Sequence, residues 1–143
     1  MSTARLAAPA ARWRRAQAPL LVAAVVLLAC VALHLRDPHH PGSWGFCPWL
    51  LLTGLDCPGC GGLRAVNDLT NGDLVGAASS NLMVVCAIPV AAVLWVRWLR
   101  AAWRGAPSRI GPRRAVAWCV LLVVVAVGFA VVRNLPVGAW LRA

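Results

Sequence analysis

The chain has 143 residues, of which 61% are hydrophobic and 13% charged, and its mean hydropathy is +0.74. A soluble domain averages about 45–50% apolar and about 25% charged residues, so there are too few charges to clothe a free-standing globule. The length allows one domain and excludes a many-span inverted-repeat transporter. The net charge of +10 would suit a nucleic-acid binder if the charges were scattered, but they are not.

All 14 basic residues are Arg and all four acidic residues are Asp. Residues 1–15 carry Arg5, Arg12, Arg14 and Arg15. The first charge-free run is Ala16–Leu35, 20 residues. Residues 36–73 then hold Arg36 and Arg64 against Asp37, Asp56, Asp68 and Asp73, a net of −2. A second run, Leu74–Val96, has 23 residues, and six Arg follow it in 97–114. The third run, Ala115–Val132, has 18, and residues 133–143 close the chain with Arg133 and Arg142.

A helix rises 1.5 Å per residue, so about 20 apolar residues cross a hydrocarbon core of about 30 Å. The sequence therefore predicts an all-α integral membrane protein with three spans. Cytoplasmic loops are enriched in Arg and Lys. One orientation satisfies every segment: N-terminus and 97–114 inside, 36–73 and C-terminus outside, in a bacterial inner membrane. The lipid bilayer becomes the expected partner of the basic segments, with another membrane protein or a second copy beside it, and nucleic acid is not expected. Trp13, Trp95, Trp98, Trp103, Trp118 and Trp140 fall near predicted helix ends, as an aromatic belt would.

Leu27-Leu28-Ala29-Cys30 resembles a lipoprotein cleavage site. The apolar run continues through Val31-Ala32-Leu33, however, which favours a retained span.

The 36–73 loop concentrates the chemistry: three of six Cys, two of three His and every Asp. Asp37–Gly45 is rich in Pro and Gly and should be irregular. Phe46–Leu55 is apolar, too short to span, and suited to the outer interface. Leu63, Val66 and Leu69 recur at helical spacing and predict a short amphipathic helix over 61–70, lying on the membrane. Asn71-Gly72 should end it, and Asp73 should cap the second span. Asn81, about 12 Å down that span, should hydrogen-bond across to another helix. Pro89 should kink the span. Arg133 is at the depth to pair with Asp68 or Asp73, and Arg64 with Asp68 one helical turn away. Together these features predict a compact three-helix bundle.

The run C-P-W-L-L-L-T-G-L-D-C-P-G-C-G-G-L-R-A, then Gly72-Asp73 and Asn81, resembles a bacterial membrane family known as domain of unknown function 2752. Its signature reads C-P…T-G…C-P-x-C-G-x-T-R-A…L-x-x-G-D…N-P. Arg133-Asn134-Leu135-Pro136 is similar to a later family element. Leu63 stands where the family usually has Thr, and Leu82 where Pro often follows the Asn. The resemblance implies a small multi-span membrane protein and supplies no activity.

Cys57-x-x-Cys60 can form a disulfide or give two ligands to a metal. Three chemistries follow. A static bridge, Cys57–Cys60 or Cys47–Cys60, would staple an interaction module. A metal site, with zinc the leading ion, could draw on Cys47, Cys57, Cys60 and His39 or His40. Thiol–disulfide exchange would use Cys57 or Cys60 as nucleophile, Arg64 as activator and Cys47 as resolving thiol. Cys60 at the N-terminus of the short helix should have a lowered pKa. Covalent haem attachment needs C-x-x-C-H, and position 61 is Gly. A thioredoxin-like site needs a βαβ setting that this chain lacks. Asn81, Asp73 and Arg133 are the expected structural polar residues. Cys30, Cys86 and Cys119 read as small apolar residues within spans. A transport path through one copy is not expected, since His34, at an edge, is the only ionisable residue within a span as read.

Overall fold

The computed structural model describes residues 4–40, 42–105 and 111–141. Arg109 and Arg142 of the charge map lie outside the described residues, as does the side chain of Arg5. Among the described residues, five α-helices and a final 3-10 turn follow in order: α1 Ala4–Leu35, α2 Pro48–Thr53, α3 Gly62–Thr70, α4 Leu74–Arg104, α5 Pro112–Asn134, and the turn Pro136–Leu141. No strand occurs among the described residues. Three helices are long and apolar enough to cross a membrane: Ala11–Leu35, Leu74–Arg104 and Pro112–Asn134. Each outruns its charge-free run and carries Arg residues in its end turns.

α1 and α4 run side by side and α3 lies across their shared end. At the other end the Arg15 Nε donates to the Ala102 carbonyl at 3.2 Å, on the last turn of α4, a carbonyl that also accepts from the capping Gly105 N–H at 3.2 Å. Gly105 at φ 72° closes that helix. Between the ends, Trp95 Nε1 donates to the Pro19 carbonyl at 2.9 Å. α5 is different. It packs on the 3-10 turn that follows it, and that turn makes the main contact with α4. The compact three-helix bundle expected from sequence is therefore corrected: α5 is tethered at one end, and its valines and leucines stay exposed along its length, Leu122 at 66% and Val123 at 62%. In a bilayer, apolar side chains gain nothing by leaving lipid for one another.

The interior is polar where it is tightest. The largest fully buried side chains are Arg133, Asn81 and Pro19. Most of the apolar side chains face outward, and the inside-out rule of soluble cores does not apply.

The short amphipathic helix read over 61–70 forms as α3, Gly62–Thr70. α3 turns its polar face inward, burying Ala65, Asn67 and Asp68, while Leu63 is 47% exposed. Asn67 Nδ2 donates to the Leu33 carbonyl at 2.7 Å and Ser80 Oγ to Asp68 Oδ2 at 2.8 Å. Hydrogen bonds to the ends of α1 and α4 thus hold α3, and Leu63 is left exposed while Val66 and Leu69 are half-buried. The break in α4 lies at Asn81 (φ −164°, ψ 92°) and not at Pro89, where the helix continues. Asn81 Oδ1 accepts from the Val84 N–H at 3.0 Å, the bond an N-cap makes. Position 82 is then the first residue of a new helical segment, the place where Pro is tolerated best.

The final turn folds back tightly. A Cβ on Gly138 would overlap the Val132 carbonyl and come within 2.8 Å of the Arg133 Cα. Gly138→Ala should therefore cost about 1–3 kcal/mol and free the turn from α5. Limited proteolysis at the C-terminal end would read this as faster cleavage; an unchanged pattern would argue that the turn is not held there.

Candidate thiol site at the loop end

Two Pro-containing turns bring the thiols together. Cys47 precedes Pro48, which opens α2 in the N-terminal position suited to it. Gly54 in the left-handed conformation ends that helix after six residues, sending the chain back toward Cys57. The turn Cys57-Pro58-Gly59-Cys60 closes through the Cys60 N–H on the Cys57 carbonyl at 3.1 Å. The three sulfurs then lie 2.8 Å (57–60), 3.5 Å (47–60) and 3.6 Å (47–57) apart. All three are free thiols, the closest pair being longer than the 2.03–2.05 Å of a disulfide. The Cys57 N–H also donates to the Cys60 sulfur at 3.2 Å.

The thiol turn is held from behind by residues distant in sequence. Asn81 Nδ2 donates to the Pro58 carbonyl at 2.9 Å and to the Cys60 carbonyl at 3.0 Å. Arg133 Nη1 donates to the Cys57 carbonyl at 3.2 Å and the same Cys60 carbonyl at 2.9 Å, and Nη2 to the Leu141 carbonyl at 2.7 Å. The Asn134 amide clamps the backbone of Asp56, accepting from its N–H at 3.0 Å and donating to its carbonyl at 2.9 Å. Arg133 and Asn134 bring the C-terminal end of α5 onto the turn. Both Asn81 and Arg133 are 0% exposed.

These contacts correct three expectations. Arg133 reaches the Cys57 and Cys60 carbonyls and not Asp68 or Asp73, because the 3-10 turn and the thiol turn close over it. Asn81 bonds to loop carbonyls and not across to another helix. The Arg64–Asp68 pair does not form among the described residues; buried Asp68 takes Ser80 and the His39 Nε2 at 3.3 Å. Asp73 Oδ1 accepts from the Gly76 N–H at 2.8 Å at the start of α4.

The histidines engage carboxylates. His39 Nδ1 lies 2.7 Å from Asp37 Oδ1, so both its ring nitrogens face carboxylates. His40 Nδ1 lies 3.5 Å from Asp37 Oδ2, on a ring that is 79% exposed. The cluster suited to a metal ion comprises Cys47, Cys57 and Cys60, with no histidine in it. In front of it lies a cavity of about 480 Å³, lined by the three thiols, by His39, His40 and Arg64, and on its apolar side by Phe46, Leu50, Leu51 and Leu63.

The thiols are not equivalent. Burial pushes Cys60 up to about 12, with the neighbouring Cys57 and Cys47 thiols adding to the shift. The Leu50 N–H on the first turn of α2, then the Cys60 thiol, hold Cys47 below its ordinary value. The expectation of a low-pKa Cys60 is thus reversed. Left-handed Gly61 (φ 75°) caps α3 one residue after Cys60, and desolvation there outweighs the helix terminus. Sequence spacing could suggest the Cys57–Cys60 pair; the role of Asn134 left no signal beyond its place in the Arg-Asn-Leu-Pro element.

Residues 47–95 match a family profile described as "Protein of unknown function (DUF2752)". The matched stretch runs from the first thiol through α3 and Asn81 into α4. Arg133 and Asn134 lie outside it. No curated protein and no solved structure matches the chain.

Proposed function

We propose that this chain is a membrane-anchored metal-binding module. Cys47, Cys57 and Cys60 would hold a borderline ion such as Zn²⁺, and the loop so ordered would present a surface to another membrane protein or a second copy. The convergence of three sulfurs from positions 47, 57 and 60 carries this reading. Thiolates at about 2.3 Å from a tetrahedral zinc lie about 3.8 Å apart, and two of the three pairs, at 3.5 and 3.6 Å, are already near that value. Zn²⁺ with three thiolates has a net charge of −1, and the Arg133 guanidinium directly behind the turn offsets it. The fourth position would face the cavity and take water or an external donor. The arginine map supports an orientation with the thiol end outside.

The 2.8 Å approach of the Cys57 and Cys60 sulfurs favours a second reading, thiol–disulfide exchange with an external disulfide. The two thiols would give two electrons and two protons, and the external disulfide would leave as two thiols.

Metal analysis and thiol titration of the full chain, purified without chelator and then offered Zn²⁺, separate the two. The metal reading expects about one ion per chain, loss of that ion in Cys47→Ser, Cys57→Ser and Cys60→Ser, and affinity losses of at least the 10–100-fold that even outer-sphere changes cause. Three free thiols that take up no zinc would overturn it.

A further inference from the structure

A second cavity, of about 440 Å³, lies between α1 and α4 at the end opposite the thiols. Trp13 and Leu20 line it from α1, and Leu99, Arg100, Trp103 and Arg104 from α4. Its parts are arranged by depth. Arg100 and Arg104 are four apart, so both guanidinium groups leave the same face of α4. Leu99 and Trp103 form the adjacent row. Leu20 is seven residues past Trp13, about 10 Å further toward the bilayer centre. Trp13 and Trp103 meet edge to face with centroids 5.2 Å apart and planes at 78°. The Arg15 bond to the Ala102 carbonyl pins the two helices together beside them.

No Asp of the sequence can serve these arginines, and there is no Glu. All four acidic residues lie between positions 37 and 73, and α4 alone puts about 45 Å between Leu74 and Arg104. Negative charge at this groove must come from outside the chain, next to an apolar channel at headgroup depth.

We propose that this groove is a binding site for an anionic phospholipid of the phosphatidylglycerol type. The phosphodiester sits between Arg100 and Arg104, the aromatic pair covers the glycerol region, and an acyl chain runs along Leu99 and Leu20. Basic pockets between spans recognise such headgroups through charge at about 1 kcal/mol per Arg; the leucines add selectivity over a free anion. This site is independent of the metal reading and of the membrane orientation.

Native mass spectrometry of the full chain in neutral detergent, titrated with phosphatidylglycerol, phosphatidylcholine or inorganic phosphate, tests it. Phosphatidylglycerol should bind about tenfold or more tightly than phosphatidylcholine. R100A/R104A should weaken it about thirtyfold. R113A/R114A removes the same charge from α5, outside the groove, and should leave it within about threefold. R100Q/R104Q, which keeps the side-chain length, should repeat the loss if the alanine pair folds poorly. Equal losses in the two arginine pairs would reduce the effect to diffuse charge and overturn the site. So would equal binding of phosphatidylcholine, or displacement by inorganic phosphate at matched concentration.

Discussion

Replacing Arg133 by methionine should destabilise the chain by about 2–4 kcal/mol, and replacing Asn81 by alanine by a similar amount. Arg133→Met removes the hydrogen bonds to the Cys57, Cys60 and Leu141 carbonyls and the contact of the guanidinium over Phe129, 5.4 Å from the ring centroid. Asn81→Ala removes the cap on Val84 and the donor to the Pro58 carbonyl. Each single change still leaves the Cys60 carbonyl one donor, since Asn81 and Arg133 share it at 3.0 and 2.9 Å. The double variant leaves it neither. Its loss should exceed the sum of the singles by about 0.5–3 kcal/mol. Reversible unfolding in detergent, followed by helical signal and by Cys60 alkylation, measures all three. Strict additivity would sink the shared-carbonyl account.

In the metal-free chain Cys47 should be alkylated well before Cys60. At pH 8 a thiol at about 12 is almost entirely protonated, while Cys47 lies below its ordinary value. The more basic thiolate is intrinsically the better nucleophile, which returns part of the difference, and about a hundredfold should remain. Timed iodoacetamide labelling followed by peptide mass spectrometry reads it; equal rates would contradict the buried, raised Cys60. The sign of the linkage follows from the same shift. Cys60 keeps its proton longer folded than unfolded, so its share of loop stability is present below the ordinary thiol value and is lost as pH rises through about 12. A bound metal requires thiolates, so loading should release about two to three protons and weaken as pH falls. Both effects leave the Arg100–Arg104 groove untouched.

The element types were legible because bilayer thickness and charge cost act on local sequence. Three apolar runs, the short helix before Asn71-Gly72 and the cap at Asp73 need only neighbours within a few residues. The inward polar face of α3 was not legible. Leu63, Val66 and Leu69 mark the apolar stripe that places the helix on the membrane, and nothing in that stripe says that Asn67 and Asp68 bond to the ends of α1 and α4. The break at Asn81 was hidden by Pro89, the stronger local signal, because a cap inside a helix matters only when a loop arrives to be bonded. Cys47 sits ten residues before Cys57, and nothing in that spacing says their sulfurs meet.

By itself, the sequence determined a three-span helical chain, the concentration of reactive groups in residues 36–73 and the separation of basic from acidic segments. These follow from hydrophobic length and charge placement, which are additive along the chain. Only the tertiary structure decided that Arg133 and Asn134 reach back to a turn more than seventy residues earlier, and that α5 stands apart from α1 and α4. It also gathered the three thiols into a cluster without a histidine and raised Cys60 by burial. Burial and shared hydrogen bonds depend on which distant backbone carbonyls meet in space, and no local pattern encodes that.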